Sequence, residues 1–142
     1  MSLSPKSFLV AMVGLLGLGV AIEAHAAACQ NVDIKVKNDG TFDVLALKID
    51  YKTVQDGTWR TESFNNATAA AGATTTVAEN QELQYIEGHD MAAIKLYYKV
   101  RCGGKWSVEK TFTDTLFDTP QCDSNSNKAY RIDLPASAVS CN

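Results

Sequence analysis

Between residues 92 and 102 the side chains alternate without a break. Ile94, Leu96, Tyr98, Val100 and Cys102 fall on one phase, and Lys95, Tyr97, Lys99 and Arg101 on the other. A period of two belongs to the β-strand, whose successive side chains point to opposite faces. The apolar face has to be covered by a second layer. The other face is left to water or to a ligand. Such a chain must stack sheets rather than bundle helices.

The same period recurs along the chain. Val32, Ile34 and Val36 alternate with Asp33, Lys35 and Lys37. Residues 42–53 put Leu45, Leu47, Ile49 and Tyr51 on one face, with Lys48 and Asp50 on the other. Phe42 and Val44 are out of phase with that set, so a bulge near Val44 or a stretch buried on both sides is expected. Further strands are predicted over 59–64, 74–78, 106–112 and 129–134. Trp106, Val108 and Phe112 are expected on one inner face, and Tyr130, Ile132 and Leu134 on another. Pro135 ends the last strand because it cannot donate into a ladder. Asn38-Asp39-Gly40, Gln55-Asp56-Gly57, Gly88-His89-Asp90 and Gly103-Gly104 are turn signals. Residues 65–73 read as a loop of small residues. Seven strands at this spacing predict an all-β fold, an antiparallel immunoglobulin-like β-sandwich.

The first residues carry an address. Lys6 precedes a continuous apolar run over residues 8–22, shorter than the ~20 residues a membrane-spanning helix needs. Ala24-His25-Ala26 follows as a small-x-small cleavage pattern, so residues 1–26 read as a signal peptide. Of the 142 residues, 27–142 then form a single domain, secreted or periplasmic. An alternative is a lipoprotein acylated at Cys29, which follows Ala26-Ala27-Ala28.

Four cysteines in an exported chain imply two disulfides, here without Cys-x-x-Cys spacing. Of the three connectivities, Cys29–Cys141 with Cys102–Cys122 is favoured, because domain termini tend to lie close together. No metal or other cofactor is expected, since His89 is the one histidine beyond residue 26 and the cysteine spacing is not that of a zinc site.

The whole chain has a net charge of −3 with 20% charged residues, which argues against a globally basic nucleic-acid binder. Catalysis has little to build on. His89 stands beside Asp90 in a turn, and there is no Gly-x-Ser-x-Gly elbow. Glu79 and Glu82 fit an acidic surface better than a pair of catalytic carboxylates. A non-enzymatic protein is expected.

The stripe Lys95, Tyr97, Lys99 and Arg101 carries more. Alternate residues on a strand stand about 6.6 Å apart on one face. Three cations around an aromatic suit a lipid headgroup, a sulfated glycan or an acidic partner. The competing reading is a solvated sheet face whose charge Asp50, Glu62 or Asp133 neutralises. Trp59 and Trp106 each follow a turn glycine. They either fill the core, the usual place for a sandwich tryptophan, or project from a tip toward a membrane or a sugar. Leu116-Phe117, near Pro120, reads as an insertion tip or as a flap over the core.

The stretch Asn38-Asp39-Gly40-Thr41-Phe42 with its following strand resembles the opening of the C-terminal β-sandwich of thiol-activated, cholesterol-dependent cytolysins. Ile94 to Val100, followed by Arg101-Cys102-Gly103-Gly104-Lys105-Trp106, is similar to their strand leading into a Cys-Thr-Gly…Trp loop. The resemblance covers residues 36–112. It implies a sandwich and a membrane-recognition role. The tryptophan-rich loop is reduced here to Trp106, so it implies neither cholesterol recognition nor pore formation.

The expected function is thus a non-catalytic binding module for a surface ligand, membrane lipid or glycan, held by Trp59, Lys95, Tyr97, Lys99, Arg101 and Trp106. The alternative is a protein-binding module, an inhibitor or a subunit of a secreted assembly.

Overall fold

In a computed structural model of the chain, residues 29–84, 88–115 and 128–142 are described. The leader, Cys122, Leu116-Phe117 and Pro120 lie outside the described residues. Eight strands are found among those described: β1 (Cys29–Asn38), β2 (Val44–Thr53), β3 (Arg60–Ala69), β4 (Thr74–Leu83), β5 (Met91–Cys102), β6 (Lys105–Trp106), β7 (Lys110–Thr115) and β8 (Lys128–Leu134).

They form two sheets. The smaller has the order β4-β1-β8; the larger runs β3-β2-β5, with both β6 and β7 pairing to β5. Pairing is antiparallel except at one seam, where β1 and β8 run parallel from Val32↔Lys128 to Asn38↔Leu134. A hairpin must be antiparallel, but β8 arrives from the opposite sheet and is free of that constraint.

The inner faces supply the core. Ile34, Val36, Val77, Tyr130, Ile132 and Leu134 of the smaller sheet belong to one buried cluster with Val44, Ile49, Tyr51, Ile94, Leu96, Tyr98 and Val100 of the larger. Each such side chain contributes about 1.5–3 kcal/mol on leaving water. The expected phase change in β2 is real but sits at Leu47. There the register shifts against both β3 and β5. Val44 and Ala46 therefore face inward before the bulge, and Ile49, Tyr51 and Thr53 after it. Leu45 is consequently turned to the outer face, opposite Lys99.

Most of the expected 65–73 loop is strand, and the fourth strand is longer than expected. β3 continues through the small residues to Ala69, and β4 runs on to Leu83. Bulges let it do so. Asn31 and Asn80 take left-handed backbone conformations (φ 56° and 52°), and the Asn80 N–H donates to Asp33 Oδ1 at 3.1 Å. Asparagine tolerates this region better than most residues.

One end of the sandwich is closed by the C-terminal segment. After Pro135 a short 3-10 turn, Ala136–Ala138, carries the chain from the smaller sheet to the larger. Tyr98 donates its hydroxyl to Ala138 O at 2.8 Å, and Lys110 Nζ donates to Ser140 O at 2.6 Å. Val139 is buried against Gly40. The segment ends in a Cys102–Cys141 disulfide, 39 residues apart in sequence. This corrects the expected Cys29–Cys141 and Cys102–Cys122 pairing. Cys141 meets Cys102 instead, because the last segment crosses to the end of β5 that carries it. Cys29 is disulfide-bonded and buried at the start of β1.

Asn38 organises the same end. It is fully buried, and its Nδ2 donates to Phe42 O at 2.9 Å, Ala69 O at 3.2 Å and Ala70 O at 3.3 Å. Its Oδ1 accepts from Gly40 N at 3.0 Å. One side chain thus ties the β1–β2 turn to the point where β3 crosses into β4.

Candidate functional site

The outer face of the larger sheet collects all six residues singled out from the sequence. Lys95, Tyr97, Lys99 and Arg101 lie on it by strand alternation, with their inward neighbours Ile94, Leu96, Tyr98 and Val100 almost fully buried. Trp106 is the cross-strand partner of Arg101, so it lies on the same side. Trp59 comes just before β3, and its ring lies between Lys52 and Lys95, whose Nζ atoms are 5.0 and 4.6 Å from the ring centroid.

Local chemistry sets both tryptophans. The turn before Trp59 is built on Asp56, whose Oδ1 accepts from Thr58 N at 2.9 Å. The Asp56 backbone carbonyl accepts from Thr53, and its other carboxylate oxygen is bound by the Arg60 guanidinium. Hydrogen bonds from Thr58 and Arg60 hold the Asp56 carboxyl well below the usual carboxylate range. The turn before Trp106 is Gly103-Gly104, with φ of 56° and 82°. Positive φ at both central positions is what a tight type I′ hairpin needs. Ser107 then ends the pairing. Its N–H donates to Val100 O, and its Oγ accepts from Val100 N.

The expectation that Trp106 and Val108 share an inner face with Phe112 is corrected here, because the interruption at Ser107 separates their phases. Phe112 packs on the core, whereas Trp106 is 38% exposed and Val108 80%. Trp59 is also 38% exposed. Neither tryptophan is a core residue.

Every aromatic on this face has a cation beside it. Lys48 Nζ is 4.3 Å from the Tyr97 centroid and the Arg101 guanidinium 5.9 Å from that of Trp106. The face holds Lys48, Lys52, Lys95, Lys99 and Arg101. Against them stand Asp50 near the middle and Glu109, whose charge reaches Tyr97. Asp43 touches Arg101 from the rim at 4.0 Å. Of the acids considered as neutralisers, only Asp50 is placed here. Glu62 points the other way, accepting from Tyr51 OH, and Asp133 lies on β8 paired with Arg131.

Asp50 is tightly held. Tyr97 OH donates to Oδ2 at 2.6 Å and Thr61 Oγ1 to Oδ1 at 2.7 Å. Desolvation pushes its pKa up, but these hydrogen bonds with the charges of Lys95 and Lys48 outweigh it and hold the carboxyl below its usual value. The hydrogen bond to Asp50 in turn pushes the Tyr97 phenol up.

A feature that sequence reasoning missed flanks the cations. Thr111, Thr113 and Thr115 are exposed on β7; Thr111 stands opposite Tyr97, Thr113 opposite Lys95 and Thr115 opposite Ala93. The alternating threonines of residues 111–115 were the available signal, once β7 is known to pair with β5.

Other candidates resolve differently. His89 Nδ1 is 3.4 Å from Thr53 Oγ1, which also bonds Asp56 O and is only 1% exposed. That hydroxyl serves the turn, accepting from Asp56 N at 3.0 Å as well. Glu79 and Glu82 are exposed on β4. Between the edge strands β3 and β4 lies a groove of about 380 Å³, bordered by Phe64, Asn66, Val77 and Gln81. Among the described residues no group of three or more His, Cys, Asp or Glu is arranged to hold a metal.

No protein family, no curated protein and no solved structure matches this chain.

Proposed function

We propose that this protein is an exported, non-catalytic binding module that recognises a surface ligand through the outer face of its larger sheet. One observation carries the reading: Trp59 comes onto the same face as Lys95, Tyr97, Lys99, Arg101 and Trp106, and that face has a surplus of positive charge. On the smaller sheet Lys37 is paired with Asp39 and Arg131 with Asp133. A concentrated field on an otherwise acidic protein attracts anions and raises their encounter rate.

The architecture is read as an immunoglobulin-like sandwich in which β8 fills the place beside β1. The engagement of Cys29 in a disulfide favours a freely exported domain over one acylated at that sulfur. From the resemblance to cytolysin C-terminal domains the reading keeps only the use of a sandwich as a contact surface.

The test is binding to liposomes and to a glycan array by the wild type, by Lys99→Glu with Arg101→Glu, and by Lys35→Glu with Lys37→Glu on the other sheet. Loss in the first double variant alone is expected. Undiminished binding there overturns the reading. The alternative, a protein-binding module, would use the groove between β3 and β4. A stoichiometric protein that co-purifies and is released by Phe64→Asp would replace the first reading with the second.

A further inference from the structure

The ligand class follows from how the face is arranged, granted the reading that this face binds. We propose that it takes a linear acidic polysaccharide, laid along β5 from Trp59 to Trp106. Its sulfates or carboxylates meet the cations, and its hydroxyls meet the threonines of β7.

Four observations converge. First, the cations form a line. Lys95 touches Trp59 and Arg101 touches Trp106, so the strip runs six residues along β5, about 20 Å. A line of charge suits a chain better than it suits a point anion. Second, the cations beside the aromatic rings compete with the flat stacking that neutral sugars and nucleobases use. The rings position the cations instead. Third, β5 is internal, paired to β2 on one side and β7 on the other, so its backbone groups are taken. Side chains must do the recognition. Fourth, exposed hydroxyls of Thr111 and Thr113 stand beside Tyr97 and Lys95, and Thr61 and Ser63 are exposed on β3 across Asp50 and Lys48. A polymer bearing both charges and hydroxyls is the complement of alternating cation and hydroxyl rows. A bilayer is less well matched. Among the described residues the most exposed apolar side chains, Val54 at 68% and Val108 at 80%, stand at opposite ends of the sheet and form no common insertion tip.

The test uses the whole exported protein, heparin oligosaccharides of increasing length, the same oligosaccharides desulfated and carboxyl-reduced, and phosphatidylcholine/phosphatidylglycerol vesicles. Affinity for the charged oligosaccharides is expected to rise with length until the chain covers about 20 Å. It should fall steeply with salt, because binding releases counterions. Lys99→Glu with Arg101→Glu is expected to weaken binding at least about tenfold. Thr111→Val with Thr113→Val, which keeps shape and strand propensity, is expected to weaken it several-fold with the fold unchanged. Equal affinity for the uncharged chains overturns the proposal, as does affinity independent of length. Binding to the vesicles alone overturns it while leaving the surface-binding function in place. Binding to none of the three probes, with a null glycan array, removes both.

Discussion

The Tyr97 hydroxyl donates to Asp50 Oδ2 at 2.6 Å and so ties β5 to β2 across the outer face, in the middle of the cationic strip. Asp50 is thus both a brace for the strip and a charge opposed to its ligand. Its pKa is depressed in the folded state, so its ionised form contributes stability above the ordinary carboxylate value of about 4. That contribution is lost as pH falls through the lower folded value. Asp50→Asn is expected to lower stability at neutral pH, to flatten the acid limb of a stability–pH curve, and to tighten binding of anions. The gain in affinity should be about two- to fivefold, the worth of one part-exposed charge. Chemical denaturation at several pH values and a binding titration check the two opposite effects.

Both tryptophans are partly exposed and each has a cation beside its ring. Intrinsic fluorescence is therefore expected to be quenched strongly by iodide and weakly by caesium, with the asymmetry fading as salt screens the field. Lys95→Gln with Lys52→Gln should reduce it at Trp59. Equal quenching by the two ions would show that no cationic surplus surrounds the rings.

Breaking the C-terminal disulfide should be costly but local. Closing a 39-residue loop corresponds to about 4 kcal/mol of unfolded-state entropy on the chain model. Cys102→Ser with Cys141→Ser is expected to lose about 2–4 kcal/mol and to raise hydrogen exchange first around Val100, Ser107 and Val139. Urea unfolding and exchange mass spectrometry measure both parts.

Gly40 is required for a reason other than backbone conformation. A Cβ there would overlap the Cβ and both methyls of Val139, and that core side chain has little room to yield. Gly40→Ala is expected to cost about 1–3 kcal/mol by overpacking. Gly40→Ala with Val139→Ala should recover only a small part of it, because the double variant removes the overlaps with the two methyls but keeps the closest one, with the residue 139 Cβ. A thermal-melt comparison of the three proteins decides it.

Much of the sheet was legible because alternation reports burial directly. The strand carrying Ile94 to Val100 was readable in full, and so was the inward set Tyr130, Ile132 and Leu134. Lys95, Tyr97, Lys99 and Arg101 were legible as a stripe for the same reason. What failed needed long-range information. Whether Leu45 faces in or out depends on a bulge at Leu47, which registers only against neighbouring strands. The extension of β3 through Asn65 to Ala69 depends on pairing with β2 rather than on the weak strand propensity of its small residues. For Trp59 and Trp106 the sequence leaves core and tip both open, and their faces are decided by the turns at Asp56 and Gly103-Gly104. The pairing of Cys141 with Cys102 required knowing that the chain crosses sheets after Pro135.

The parallel seam between β1 and β8 has a consequence for synthesis. Among the described residues, the first strand to emerge from a ribosome is central to its sheet, and one of its two neighbours is the last strand to emerge. Until Lys128–Leu134 is released, one side of β1 has no partner and the row of Ile34 and Val36 is short of its cover. Pairings so distant in sequence form slowly. The smaller sheet therefore cannot close until Lys128–Leu134 is available, and folding ends with that pairing.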